Sequence, residues 1–265
     1  MSDGYFNYPD DSFLHATDVS QLKDIAVLEP DHPWIEAQVN LVKELTEAFG
    51  GDRHTFYNIF SPATYFKIVR NGGEKVLLDF IHDDALAVTY VLETVSRSLS
   101  ILVRRVIEEG GASGIYFSTQ DLDTGPVSDN LFDQVISRPD TRILEEALAA
   151  GGLNILHICG YEGHRNRLER FTAYPAQIVN WSVTSEQFTL EQGLELFHDK
   201  AVLGGFDNTV DGILYRGSRE AIEQETRRII AGSGTRRVIL GADCTIPRDI
   251  DLRHLQWVRE SARLI

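Results

Sequence analysis

The sequence predicts an α/β protein with a parallel sheet, of the type found in (β/α)8 barrels. Short apolar runs with strand character alternate with amphipathic helical stretches from about residue 55 onward. Glycine pairs such as Gly110-Gly111 and Gly151-Gly152 end several of the helical stretches. Polar and reactive side chains follow directly after the apolar runs, which is where a parallel barrel carries its active site.

Six runs have the length and apolar content of buried strands, namely 55–60, 114–118, 154–158, 177–181, 201–205 and 237–241. Helical periodicity is found at 34–49, from Pro62, and at 85–110, 130–150, 162–171, 189–198, 218–231 and 252–264. A complete barrel of this type has eight strands. The expected architecture is therefore a TIM-type barrel whose first two strands are lacking or degenerate.

An open, doubly wound sheet is the competing architecture. A dinucleotide-binding sheet of that type carries G-x-G-x-x-G after a strand, and none of the six runs is followed by this motif. The barrel prediction is thus favoured. We expect a single domain over residues 1–265, with residues 1–35 forming an arm on the surface.

Charge and composition exclude several classes of protein. The formal net charge is −15, and no basic stripe for nucleic acid is visible. No uninterrupted apolar run approaches the roughly 20 residues that span a bilayer. The N-terminal residues lack the basic start and apolar core of a secretory signal. The expected location is the cytoplasm, where the only two cysteines would not form a structural disulfide.

The most informative motif is Leu156-His157-Ile158-Cys159-Gly160, at the end of the third predicted strand. Side chains alternate along a strand, so His157 and Cys159 point to the same side. Cys244, the second cysteine, follows the last predicted strand. Two thiolates and one imidazole can be three ligands of a tetrahedral zinc ion whose fourth position is open to substrate. Two buried thiols beside a hydrogen-bonded histidine are an equally weighted alternative from spacing alone.

The same segments resemble the uroporphyrinogen decarboxylase superfamily. The resemblance covers roughly residues 50–265 in the order expected for the family. It is carried by residues 60–64 (FSPAT), 118–120 (STQ), 155–160 (ILHICG), 202–207 (VLGGFD) and 239–247 (ILGADCTIP). It implies a (β/α)8 barrel whose first two strands lie upstream of residue 1.

Within that superfamily, His-x-Cys-Gly followed by a distant Cys resembles the zinc motif of the corrinoid:thiol methyltransferases, such as the coenzyme M methyltransferases. The resemblance implies that His157, Cys159 and Cys244 are zinc ligands. It also implies a small thiol as substrate and a methyl-corrinoid protein as partner. Members of the family often form dimers, so a homodimer is one expectation.

Further residues after the predicted strands are candidates for the site. Asp207 is expected to be a catalytic carboxylate at the barrel mouth, with a turn cap as the alternative. Glu162, Gln120 and Asn180 are candidates for contacts behind the metal ligands or with substrate. Glu162 is equally well explained as an acidic residue in the first turn of a helix.

Two other functions remain open. The first is a metal-free decarboxylase acting on a porphyrinogen-like or other carboxylated substrate. The arginine-rich N-terminal segment of true uroporphyrinogen decarboxylases has no counterpart here, since the first arginine is Arg53. The second is a non-catalytic relative that has kept the zinc site.

Overall fold

A computed structural model describes residues 8–22, 24–49, 53–68, 72–122, 127–160 and 165–264. The chain divides into two compact units, Met1–Ile155 and Leu156–Ile265. The prediction of a single domain stays a prediction.

The six strands of the described residues begin and end within one residue of their predicted bounds. In the first unit, β1 (Phe56–Phe60) pairs in parallel with β2 (Gly114–Thr119). The strands of the second unit lie side by side in chain order, and β4 pairs in parallel with β5 and β5 with β6. These strands are β3 (Ile155–Ile158), β4 (Ile178–Trp181), β5 (Ala201–Phe206) and β6 (Val238–Ala242).

Helices separate the strands as the alternating pattern predicts, except between β3 and β4, where the described residues form only a 3-10 turn. The first unit contains α1 (Asp11–His15), α2 (Pro33–Phe49), α3 (Pro62–Ile68), α4 (Gly73–Glu108), α5 (Asp129–Phe132) and α6 (Arg138–Ala149). The second unit contains α7 (Val183–Glu186), α8 (Leu190–Leu196), α9 (Ile213–Arg216), α10 (Arg219–Ser233) and α11 (Leu252–Ala262).

Helix α4 is the central helix of the first unit, and it packs on α2, α3 and α6. Its length and composition, with a mean hydropathy of 1.4 over 18 residues, would suit a membrane span. However, 56% of that window is buried within the protein, and a core helix passes the same test. Non-helical angles at Asp84 (φ −155, ψ 83) divide α4 into two segments. The predicted helix start at residue 85 coincides with this kink.

Two helix predictions differ from the structure. The predicted helix 130–150 is interrupted by a π-helical turn at Asp133–Ser137, just before Pro139 in the first turn of α6. The predicted helix 162–171 is wrong over 165–167, and only a 3-10 turn forms at Leu168–Phe171. Residues 161–164 lie outside the described residues.

The N-terminal segment is not a simple surface arm, which corrects the sequence-based expectation. Tyr8 and Phe13 are fully buried, and Leu22 is almost fully buried. The Tyr8 hydroxyl donates a hydrogen bond to Ser98 Oγ on α4 at 3.0 Å. The rings of Phe13 and Phe66 meet edge to face at 5.5 Å between centroids. Because its aromatic side chains enter the core, this segment is part of the first unit.

The two faces of the sheet in the second unit have different roles. Trp181 at the end of β4 packs toward the helices, where a Cβ on Gly193 of α8 would lie only 2.0 Å from its ring. The Trp181 indole N–H donates to the Phe188 carbonyl at 2.9 Å. Since neighbouring side chains of a strand alternate, Asn180 points to the opposite face. His157 reaches the same face, as its contact with Asn180 shows.

Candidate metal centre

His157, Cys159 and Cys244 meet in one cluster in the second unit. Their potential ligand atoms all lie within 4.8 Å of one another. The two Sγ atoms are 4.0 Å apart, and Cys244 Sγ lies 3.4 Å from His157 Nε2. His157 is 3% exposed, whereas both cysteines are half-buried. The cluster therefore combines a buried histidine with two cysteines that are partly exposed.

Local geometry explains why these three residues converge. His157 lies on β3, and Cys159 follows two positions later, so both side chains emerge on the same face. Cys244 follows two residues after the end of β6. Because β3 to β6 lie side by side in chain order, their carboxyl ends share one edge. The cluster is at that edge.

The spacing of the cluster suits a tetrahedral zinc ion. Zinc bonds of about 2.3 Å to sulfur and about 2.0 Å to nitrogen place two sulfurs about 3.8 Å apart and a sulfur and nitrogen about 3.5 Å apart. The observed separations are 4.0 Å and 3.4 Å. Small side-chain shifts would bring all three atoms to bonding distance, and a fourth position would remain open.

Asn180 lies directly behind His157. Its Oδ1 is 2.5 Å from His157 Nδ1, and the Asn180 side chain is completely buried. The Asn180 amide N–H groups donate to the carbonyl oxygens of Leu203 at 2.8 Å and Ala242 at 3.4 Å. Asn180 thus connects the histidine of the cluster with the ends of β5 and β6.

Asp243 is a second buried polar residue at the cluster, next to Cys244. Its carboxylate accepts N–H groups of Thr184 at 3.0 Å and Gly205 at 3.2 Å. Gly204 and Gly205 have φ values of +143° and +106°, which glycine adopts without strain. Burial raises the pKa of Asp243 above its ordinary value, and the N–H groups that it accepts oppose this rise. The carboxylate holds the chain around Cys244 in place.

The Cys244 thiol is easily deprotonated in this environment. The hydrogen bond from Cys159 makes the largest contribution, lowering the pKa of Cys244 well below its ordinary value of 9.0. Burial opposes this change. A thiolate is the form of cysteine that binds metals.

A buried carboxylate holds Asn166, which lies before the 3-10 turn at Leu168–Phe171. Glu186 on α7 accepts the Asn166 backbone N–H at 2.9 Å and its side-chain amide at 2.6 Å. The Asn166 amide also donates to the Cys159 carbonyl at 3.2 Å. These contacts use the polar groups of Asn166 outside a helix, which explains why residues 165–167 are not helical.

The remaining predicted site residues are placed as follows. Asp207 follows β5, and its Oδ1 accepts the Thr209 N–H at 2.8 Å, which is the geometry of a turn cap. Its role as a catalytic carboxylate stays a prediction. Gln120 follows β2 in the first unit and is half-buried. Glu162 lies outside the described residues.

Sequence reasoning missed Asp243, Asn166 and Glu186. Asp243 stands in Gly241-Ala242-Asp243-Cys244, and an acidic residue between an apolar strand and a candidate ligand was the available signal. No local pattern marks Glu186, because its partner is 20 positions away.

Comparisons with known proteins agree with this fold. The sequence profile of the family described as "Uroporphyrinogen decarboxylase (URO-D)" matches residues 8–264. No curated protein matches the sequence. A solved methyltransferase from Methanosarcina mazei is similar with a TM-score of 0.72 at 16% identity, over 94% of this chain and 69% of that one.

A B12-independent methionine synthase from Shewanella sp. W3-18-1, solved with selenomethionine, is similar with a TM-score of 0.54 at 15% identity. That likeness covers 85% of this chain and 65% of the other. At these identities the two structures show the fold alone. The predicted α/β class of the family's TIM-type barrels is confirmed, with six strands in the part of the chain that the structure describes.

Proposed function

The chain belongs to the uroporphyrinogen decarboxylase family, and we propose that it is a zinc-dependent methyltransferase that moves a methyl group from a corrinoid to a small thiol. The proposal includes a location in the cytoplasm and a methyl-corrinoid protein as partner. The ligands would be His157, Cys159 and Cys244.

One observation carries the proposal, namely the cluster of two thiols and one imidazole with spacing suited to zinc. A decarboxylase that works without metal has no use for this arrangement. Both cysteine residues are half-buried, whereas His157 is buried, so we infer that an incoming thiol approaches from the cysteine side. Similarity to a methyltransferase supports the same reaction class.

The cluster has the chemistry that such a reaction needs. A zinc ion held there would lower the pKa of a substrate thiol, so that the thiol reacts as its thiolate near neutral pH. His157 Nε2 and the two cysteine sulfurs would hold the ion. The thiolate sulfur of the substrate then bonds to the methyl carbon, while the carbon–cobalt bond breaks and its electron pair stays on cobalt.

The metal is tested by counting zinc per chain in purified, reduced protein. Reductant is needed because the two thiols lie 4.0 Å apart and can form a disulfide on oxidation. We expect about one zinc per chain, which is lost in a Cys159→Ser/Cys244→Ser double variant and in His157→Gln, since three ligands define the site. His82→Gln is the matched control, because the His82 side chain is 89% exposed on α4.

The reaction is tested with free methylcobalamin and a set of small thiols that includes coenzyme M. The expected result is zinc-dependent loss of the methyl–cobalt absorbance, with formation of the methyl thioether. Zinc without transfer to any thiol would contradict the methyltransferase and favour a zinc-binding relative without turnover. Folded, reduced protein without zinc would overturn the mechanism and favour a metal-free decarboxylase.

A further inference from the structure

The side chain of Asn180 has only one orientation compatible with its neighbours. One end of the amide faces the carbonyl oxygens of Leu203 and Ala242, at 2.8 Å and 3.4 Å. Carbonyl oxygens only accept hydrogen bonds, so the NH2 group must be at that end. A flipped amide would bring three acceptor oxygens together in a buried place. The Asn180 Oδ1 atom therefore faces His157.

This orientation determines where the His157 proton lies. The amide oxygen cannot donate, so the 2.5 Å contact requires a proton on His157 Nδ1. In the neutral ring, Nε2 then has a lone pair, and it lies 3.4 Å from Cys244 Sγ on the cysteine side of the cluster. The free imidazole has both tautomers available, and only this one presents Nε2 as a ligand.

We infer that Asn180 is a positioning residue that holds His157 in the Nδ1–H tautomer and thereby prepares Nε2 to bind the metal. The inference rests on the proposed function only for the identity of the metal. Asn180 is 0% exposed, so it acts through His157 and does not touch substrate.

Asn180 also links the histidine to the strand that leads to Cys244. The Ala242 carbonyl that it contacts ends β6, two residues before Cys244. One buried amide thus holds the His157 ring and the approach to Cys244 relative to each other. Metal-binding histidines are usually oriented in this way by a carboxylate, a carbonyl or water, and such partners contribute to metal affinity.

The first test measures the tautomer in the metal-free protein. Long-range proton–nitrogen NMR spectra of protein with 15N-labelled histidine distinguish Nδ1–H from Nε2–H, and His157→Gln identifies the signals. We expect Nδ1–H in the wild type and a gain of the Nε2–H form in Asn180→Leu. An Nε2–H ring in the wild type would overturn the inference, whatever metal the protein binds.

The second test measures zinc affinity by competition with a chelator. Asn180→Leu is expected to weaken binding about 10- to 100-fold. Asn180→Asp keeps an oxygen acceptor for Nδ1–H but places its other oxygen against the carbonyl oxygens of Leu203 and Ala242, so its affinity should fall between those of the wild type and the leucine variant. Asn154→Leu is the matched control, because Asn154 is also fully buried and donates to a carbonyl, that of Leu144, at 2.9 Å.

The outcomes separate this inference from the proposed function. Equal zinc affinity in folded Asn180→Leu and wild type would refute the positioning role and leave the zinc enzyme intact. A wild type without zinc would refute the enzyme, while the NMR result would still decide the tautomer. If Asn180→Leu does not fold, the wild-type spectrum decides the inference, because it reports the tautomer of His157 directly.

Discussion

His157, Cys159 and Cys244 differ in their access to solvent, and this difference suits a reactive metal centre. The histidine is buried and held from behind by Asn180 at 2.5 Å, so its position is rigid. The two cysteines are only half-buried. A site of this kind needs ordered ligands and one open position.

Asp243 is a buried residue beside the cluster whose loss should cost stability. Asp243→Ala removes the buried carboxylate that accepts the N–H groups of Thr184 and Gly205, and each lost hydrogen bond is expected to cost about 1 kcal/mol. Urea unfolding measures the loss. The exposed Asp211→Ala is the control, and equal free energies of unfolding in the two variants would contradict the role of Asp243.

In helix α4, the exposed residue Asp84 interrupts the helix and begins its second segment. Asp84 leaves the helical conformation, and its Oδ1 accepts the Ala87 N–H at 3.0 Å. This is the behaviour of an N-cap, and it restarts the helix after the kink. The segment that follows contains Ser98, which contacts the N-terminal segment.

We therefore expect Asp84→Ala to lower the free energy of unfolding by about 1 kcal/mol, because the first turn of the second segment loses its cap. Asp84→Ser should retain most of the stability, since serine caps equally well. Chemical denaturation compares the two variants. Asp84 is exposed, so packing does not obscure the result, and equal losses in both variants would rule out capping as the cause.

At the scale of the whole molecule, the family match from residue 8 to residue 264 includes both compact units. The matched region begins with the N-terminal segment that enters the core of the first unit. Ser98 Oγ accepts from the Tyr8 hydroxyl and the Leu28 N–H, both at 3.0 Å, and donates to the Thr94 carbonyl at 3.3 Å. The Ser98 hydroxyl on α4 thus binds two residues of the N-terminal part of the chain, Tyr8 and Leu28.

Tyr8 makes the stability of the protein sensitive to alkali. Burial raises the pKa of Tyr8 from 10.0 to about 12. Between these values the unfolded chain loses the tyrosine proton and the folded chain keeps it, so the free energy of unfolding falls as pH rises. Below pH 10 both states are protonated, and the contribution of Tyr8 is complete.

Tyr8→Phe should cost about 1 kcal/mol near neutral pH, through the lost hydrogen bond to Ser98. Above pH 10 the difference in free energy of unfolding between the variant and the wild type should become smaller. The wild type loses stability as Tyr8 of the unfolded chain ionises, whereas phenylalanine does not ionise. Denaturation curves at several pH values measure this difference. If the difference in free energy of unfolding stayed constant from neutral to strongly alkaline pH, the pKa of Tyr8 would be the same in the folded and the unfolded chain.

The sequence by itself determined the strands and the identity of the three clustered residues. Strand periodicity is local, so the six strands among the residues that the structure describes could be predicted to within one residue. The alternation of side chains placed His157 and Cys159 on one face, and the absence of any other cysteine made Cys244 the natural third member.

Only the tertiary structure decided how those residues are held. Asn180 meets its partners at separations of 23 and 62 positions, and Asp243 meets Thr184 at 59. Such contacts depend on how strand ends meet in space and leave no local pattern. Two other contacts between distant residues could not be predicted either. Tyr8 is hydrogen-bonded to Ser98, 90 positions away, and Asn166, in the predicted helix, is instead hydrogen-bonded to Glu186.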